Sequence, residues 1–287
     1  MRASANRHSS CSIPCRDSTG QQGINIRIAL GIEYDGTGYN GWQRQETGLG
    51  VQQRLEEALA LVANEAIEVV CAGRTDTGVH ASGQVIHFDT SSERSRRGWL
   101  LGANSKLPDD ICVIWAKPVD DMFHARFSAT ARSYRYRIIN RLERSALHRD
   151  RAWWVYQPLD ASAMHEAARL LLGRHDFSAF RAAGCQASTA VREITSIAVQ
   201  REGDWLTLSV TANAFLQHMV RNITGTLAAV GLGEQNVQWV TEVLESRDRK
   251  VGGIAAPAHG LTLVSVDYPA SFEIPDAANY SSPAGGC

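Results

Sequence analysis

A single carboxylate, Asp76, stands in the run Ala72-Gly73-Arg74-Thr75-Asp76-Thr77-Gly78-Val79-His80-Ala81, between two glycines and two residues after an arginine. Residues two apart in extended backbone share a face, so the spacing brings the Arg74 guanidinium beside the Asp76 carboxylate. An ionised carboxylate next to a cation suits a nucleophile better than a general acid, which needs burial to hold its proton. A structural Asp-Arg pair in a tight turn is the non-catalytic alternative. The tripeptide Asp76-Thr77-Gly78 is also that of aspartic proteases, but their mechanism needs two carboxylates sharing one proton. No second Asp-Thr-Gly occurs in the 287 residues, and Arg74 would put a cation where such a dyad tolerates none.

The elements around this run must hold it in a loop. Ile67 to Cys71 is β-branched and apolar, and Gln84 to Phe88 alternates, so Asp76 lies between two strands. Upstream, strand-like Ile26 to Tyr34 leads through a glycine loop to a helix over Val51–Ala63, with Leu55, Leu59 and Val62 at helical spacing. A short helix near Trp99–Asn104 and a strand over Ile111–Ala116 close a first α+β unit, and Phe123–Phe127 links it to a second. The second unit predicts a strand over Ser133–Ile139, a helix over Ala161–Leu172 ended by Gly173, and strands over Val191–Val199 and Leu206–Thr211. A long helix over Phe215–Val230 capped by Gly231, a helix over Val237–Ser246 and a strand over Leu261–Val266 complete it. The expected fold class is therefore α+β with one unit used twice: residues 24–127 carry the carboxylate and 128–268 form the second domain. Residues 1–23 form a disordered tail and 269–287 a flexible one.

The net charge of −1 conceals local bias. Between Arg126 and Arg151 eight arginines face two acids, interleaved with Phe127, Tyr134, Tyr136, Trp153 and Trp154. Cations with aromatic rings attract phosphate backbones and bases, so this run reads as a nucleic-acid face, with a solvated basic strand as the plainer alternative. The six cysteines include no CxxC pair and no His spacing that closes a zinc site, which implies reduced thiols and no metal. The polar N-terminal stretch has no apolar run of signal or membrane-span length, and the cytoplasm is the expected location.

Gly36-Thr37-Gly38-Tyr39-Asn40-Gly41 fits the dinucleotide fingerprint, yet Trp42-Gln43-Arg44-Gln45 continues as polar loop where that site needs a helix N-terminus. Asp35, Tyr39, Trp42 and Arg44 on this loop suit contacts to RNA, or the loop is a plain hairpin turn. His165-Glu166-Ala167-Ala168-Arg169 lacks the second histidine of a zincin, leaving His165 a surface helix residue, and His80, His87 and His175 read as core or loop anchors. Arg221 sits in the first turns of an apolar helix, where the dipole disfavours a cation. It needs a partner, a phosphate or a carboxylate such as Asp76, unless it faces solvent.

Taken together these segments resemble the tRNA pseudouridine synthase A family. The matching motifs are Tyr34-Asp35-Gly36-Thr37-Gly38-Tyr39, Gly41-Trp42-Gln43-Arg44-Gln45 and Gly73 to Ala81, then Phe123-His124-Ala125-Arg126-Phe127, Tyr134-Arg135-Tyr136, His175-Asp176-Phe177 and Met219-Val220-Arg221-Asn222. The resemblance runs from about Ile26 to Tyr268 and implies isomerisation of uridine to pseudouridine at positions 38, 39 and 40 of the tRNA anticodon stem-loop, without cofactor or metal. It implies Asp76 as nucleophile, Arg74 as the arginine that intercalates into the RNA, Tyr134 as the ring that stacks on the target uracil and assists proton removal, and Arg221 as the partner of the carboxylate. Arg44, Arg126 and Arg135 are the accompanying RNA-binding candidates. The implied fold joins the sheets of two halves into one, with helices on one side, the active cleft between the halves, and a homodimer shaping the tRNA site. Ser133, Gln217 and Thr224 depart from the family pattern and bear on RNA affinity. A non-catalytic RNA-binding protein is the other reading.

Overall fold

The computed structural model describes residues 25–275. Ten strands form one mixed sheet: β1 (Ile26–Tyr34), β2 (Val70–Cys71), β3 (His80–Thr90), β4 (Ile111–Val119), β5 (Ala131–Asn140), β6 (Trp153–Val155), β7 (Gly173–Asp176), β8 (Val191–Glu202), β9 (Trp205–Ala212) and β10 (Leu261–Asp267). Five helices accompany them: α1 (Val51–Ala63), α2 (Arg96–Asn104), α3 (Ala161–Arg169), α4 (Met219–Gly231) and α5 (Trp239–Ser246). The order across the sheet is β4-β1-β3-β10-β5-β9-β8-β7, with β2 on β3 and β6 on β5.

The last strand joins the two halves. β10 runs parallel to β3, with Leu263 opposite Ala81, and antiparallel to β5, with Leu263 opposite Tyr134. Its side chains serve two cores: Leu261 packs with α4 and the second-half strands, Leu263 and Val266 with α1 and the first-half strands. In the second half the sheet is two-faced. Leu206, Leu208, Val210 and Ala212 of β9 are buried on the side of α3 and α4, while Thr207, Ser209 and Thr211 alternate onto the other side. In the first half both faces are covered. The Trp115 indole lies so close over Gly31 that a Cβ there would meet it at 2.0 Å.

Most predicted elements stand within a few residues of their expected bounds. The long helix is an exception: it starts at Met219 rather than Phe215, because His218 has φ 62, a left-handed conformation through which an α-helix cannot run. Gly231 is the last helical residue, and Gly233, with φ +73, takes the left-handed turn after it. β6 and β7 have three and four residues, too short for alternation to reveal them. Residues 269–275, placed by sequence in the flexible tail, dock instead. Phe272 packs edge-on to Phe123 at 5.3 Å, and Lys117 Nζ donates to the Phe272 and Glu273 carbonyls at 3.0 and 2.8 Å. The 1–23 tail and the rest of the C-terminal one lie outside the described residues.

Candidate active site

Asp76 occupies a tight turn between β2 and β3, closed by the Val79 N–H donating to the Asp76 carbonyl at 3.1 Å. Gly78 has φ +76, the left-handed value that the third position of a type II turn requires. The glycine loop after β1 clamps this turn from behind. Gly41, at φ +93, approaches so closely that a Cβ would lie 2.8 Å from the Thr75 carbonyl oxygen, and the Trp42 N–H donates to that carbonyl at 3.0 Å. Buried Tyr34 shares a 2.7 Å hydrogen bond with the Thr75 hydroxyl. Gly36 and Gly41 of the dinucleotide-like fingerprint thus bring backbone against backbone.

That packing corrects the expectation of an RNA-contacting loop. Tyr39 and Trp42 are 4% and 2% exposed, out of reach of a ligand. Arg44 pairs at 2.8 Å with Glu56, a buried carboxylate of α1 that also accepts the Val69 N–H. Asp35 accepts from the Thr37 N–H and hydroxyl and pairs with Arg151 at 2.5 Å; burial pushes its carboxyl up, but these bonds and charges win and hold it below the usual range.

The second half supplies the partners of Asp76. Arg221 Nη1 lies 3.8 Å and His218 Nε2 3.5 Å from Asp76 Oδ2, while the Arg221 Nε–H donates to the Ala256 carbonyl at 2.8 Å. Of the alternatives the sequence leaves open for Arg221, a phosphate, a carboxylate such as Asp76 or solvent, the structure brings Asp76 to it. Sequence reasoning misses His218; its left-handed backbone just before α4, which turns the imidazole toward Asp76, leaves no periodic signal. Among the described residues the other carboxylate oxygen, Oδ1, has no hydrogen-bond partner, and the Asp76 side chain is 26% exposed. The site holds one oxygen and leaves the other open.

Arg74 is not beside Asp76. It is exposed, and among the described residues no ion pair within 4.0 Å joins the two. Tyr134 is brought to the site: its ring packs edge-on to Phe215 at 4.9 Å, and its hydroxyl lies 3.8 Å from where a Cβ on Gly73 would stand. Burial pushes the Tyr134 phenol well up, the Arg132 cation opposes that, and the negative charge of Asp76 adds to it, so the hydroxyl keeps its proton. Burial also pushes the Cys71 thiol up to about 12, so no thiolate competes.

The arginine run divides. Arg135 is exposed on the polar side of the sheet, opposite Ser209 and Thr262, with Tyr134 and Tyr136 on the other side. Arg137 stacks 3.8 Å over Trp205. Arg126 is exposed beside Phe127. Arg132 is buried and donates to four carbonyls, those of Ala72, Arg126, Ala129 and Asn213, so it belongs to the scaffold and not to a nucleic-acid face. The anchor reading of the histidines stands. His80 is 3% exposed, with Nε2 near the Asp150 and His259 carbonyls at 2.9 and 3.1 Å; His87 is buried; and His175 Nε2 meets the Leu172 carbonyl at 2.7 Å. His165 is half-buried, its Nδ1 accepting the Val199 N–H at 3.2 Å, and is not a free surface residue.

Comparison with known proteins places this geometry. The tRNA pseudouridine synthase family matches residues 31–128 and 167–269, one segment in each half, with Tyr134 between them. A tRNA pseudouridine synthase A of Pseudoalteromonas atlantica is 57% identical over 250 residues, covering 87% of this chain and 95% of that protein. The proteins of the same name from Aeromonas hydrophila and Nitrosococcus oceani are 55% and 52% identical, each over 87% of this chain and over 93% and 96% of their own lengths. The first matched segment carries Asp76 and the second carries the His218 and Arg221 that meet it, and on this agreement of sequence and site the chain belongs to the tRNA pseudouridine synthase family.

Proposed function

We propose that the protein isomerises uridine to pseudouridine at positions 38, 39 and 40 of the tRNA anticodon stem-loop, with Asp76 as the nucleophile. The observation that carries this is the half-held carboxylate: Oδ2 faces Arg221 and His218 while Oδ1 is open. A carboxylate adds to a carbon and leaves again without needing a proton of its own. The N1–C1′ bond of the uridine breaks, the base turns, and a C5–C1′ bond forms; C5 gives up its proton and N1 takes one up, so atoms balance without a cofactor. Arg221 orients the carboxylate by charge across 3.8 Å, and its Nε–H bond to the Ala256 carbonyl holds the guanidinium in place.

Tyr134 serves through its ring. A phenol whose proton is held by burial is a poor base for C5, but a half-buried ring beside the nucleophile suits stacking on a flipped uracil. Arg74, exposed and unpaired with Asp76, is free to enter the space the flipped nucleotide vacates. Arg126 and Arg135 act by charge on phosphates, Arg135 from the opposite side of the sheet, and Arg44 acts at most through the half of its guanidinium that Glu56 leaves exposed. The family likeness also supports a homodimer and a cytoplasmic enzyme; among the described residues no helix is long and apolar enough to cross a membrane.

The test is tritium release from C5-labelled uridine in a tRNA transcript, in chelator, for wild type and Asp76→Asn. Release by wild type alone is expected, with both proteins binding the transcript equally. Release by both would move the nucleophile elsewhere, and release by neither would leave a non-catalytic RNA-binding protein.

A further inference from the structure

The turn that follows β4 is pinned at most of its backbone groups. Arg27 Nη1 donates to the Asp121 and Phe123 carbonyls at 2.5 and 2.9 Å, and the Ala125 N–H donates to His87 Nδ1 at 3.1 Å. The Tyr268 hydroxyl donates to the Ala125 carbonyl at 2.6 Å, and the His124 and Ser128 residues exchange bonds at 2.9 Å. Yet the side chain this rigid turn presents, Phe127, is 76% exposed. A phenylalanine left in water forgoes the stabilisation that burying its ring would bring.

Beneath Phe127 lies a column of rings. The His124 ring is 4.3 Å from Phe127 with an interplanar angle of 31°, and it is 4.8 Å from, and tilted by 59° to, His87, which is only 4% exposed. His124 Nδ1 accepts the N–H groups of Arg126 and Phe127 at 3.2 and 3.1 Å, so that nitrogen carries no proton and the imidazole is neutral. The rings rise from the core and end at Phe127, with the Arg126 guanidinium over that ring, 5.6 Å from its centroid. It also adjoins the nucleophile's loop: Arg132 Nη2 donates both to the Arg126 carbonyl at 2.7 Å and to the Ala72 carbonyl at 3.0 Å.

We propose that Phe127 is a nucleobase-stacking site, on which an unpaired base of the RNA near the reacting uridine continues the His87–His124–Phe127 column, with Arg126 meeting that nucleotide's phosphate. An exposed ring on a rigid turn accepts any base once the Arg126 side chain moves from over it to the phosphate, because every base has a π-face, and the cation adds salt-dependent affinity. The proposal rests on the reading of the chain as an enzyme acting on RNA.

The experiment compares wild type, Phe127→Leu and Phe127→Tyr for equilibrium binding of an anticodon stem-loop RNA, and repeats it with RNAs carrying one abasic nucleotide at each loop position. Loss of one stacked base weakens binding about tenfold, so Phe127→Leu is expected to bind about tenfold less tightly and Phe127→Tyr within about twofold of wild type. One abasic RNA is expected to erase the difference between wild type and Phe127→Leu. Equal affinity of Phe127→Leu and wild type would overturn the proposal, as would a loss that persists on every abasic RNA or one that accompanies a changed oligomeric state. Tritium release by Phe127→Leu at saturating RNA separates this site from the chemistry. If wild type releases none while the Leu and Tyr affinities differ as stated, the enzymatic reading fails and the stacking site stands.

Discussion

Arg132 distinguishes a scaffold cation from an RNA contact. The Arg132→Met protein keeps the stem that packs in the interior and removes a guanidinium whose residue is 9% exposed and whose four bonds, at 2.7 to 3.2 Å, all go to main-chain carbonyls. Hydrogen bonds from a charged group contribute about 1.5–3 kcal/mol each, and each buried acceptor left unpaired costs about 1–3 kcal/mol. The several kcal/mol spent on desolvating the cation is recovered in the variant and offsets part of this. The net destabilisation is therefore about 2–4 kcal/mol, which for a chain of this length lowers Tm by about 5–15 °C. The assay pairs thermal unfolding with RNA binding at several salt concentrations below the transition. A scaffold role predicts the lowered Tm and an unchanged dependence of log K on log salt, whereas a phosphate contact would flatten that slope by about 0.7–0.9. An unchanged Tm with a flattened slope would refute the reasoning and return Arg132 to the nucleic-acid face.

His218→Asn keeps a residue that tolerates left-handed backbone and removes the imidazole 3.5 Å from Asp76; allowing for partial exposure, the loss is about 1 kcal/mol, seen as about a fivefold lower kcat with KM for tRNA unchanged. A raised KM with normal kcat would place His218 in RNA binding instead. Burial pulls His87 down to about 4, and Arg27 and His124 pull the same way, while the unfolded chain binds a proton near pH 6.5. Stability from this group is complete above about pH 6.5 and is lost as the pH falls toward 4, by about 2 kcal/mol after discounting for solvent. His87→Gln should flatten that limb of a Tm-against-pH curve, and an identical limb in both proteins would remove His87 from the account.

What the sequence reveals and hides follows physical lines. Elements with a sustained period are legible: α1 and β1 stand over the residues expected, because Leu55 and Leu59 mark one helix face and Ile26, Ile28 and Ile32, at even spacing before Tyr34, mark a strand. Pairwise chemistry between neighbours in sequence is less so. Arg74 and Asp76 look paired on strand geometry, but among the described residues no ion pair within 4.0 Å joins them, and the charges that do face Asp76 come from α4 and the residue before it. Arg132 looks like its seven neighbouring arginines, since burial is decided by which carbonyls the fold brings round it and not by local composition. His218 is hidden for a related reason: its role depends on one left-handed residue interrupting an otherwise helical pattern.

The joint made by β10 explains why the site residues are so far apart in the chain. Asp76 lies just before β3, and β10, the last strand in sequence, is the one that lies between β3 and β5. Pairing Thr262 with His80 and Leu263 with both Ala81 and Tyr134 fixes the Asp76 turn of one half against the Tyr134 strand of the other. His80 reinforces the seam from the interior, reaching the His259 carbonyl just before β10 and the Asp150 carbonyl of the second half. Each half alone would hold an incomplete site, the carboxylate without Arg221 and His218, or those two side chains without the carboxylate. The geometry at Asp76 is accordingly a property of the completed sheet, and any change that loosens β10 should degrade the chemistry before it unfolds either core.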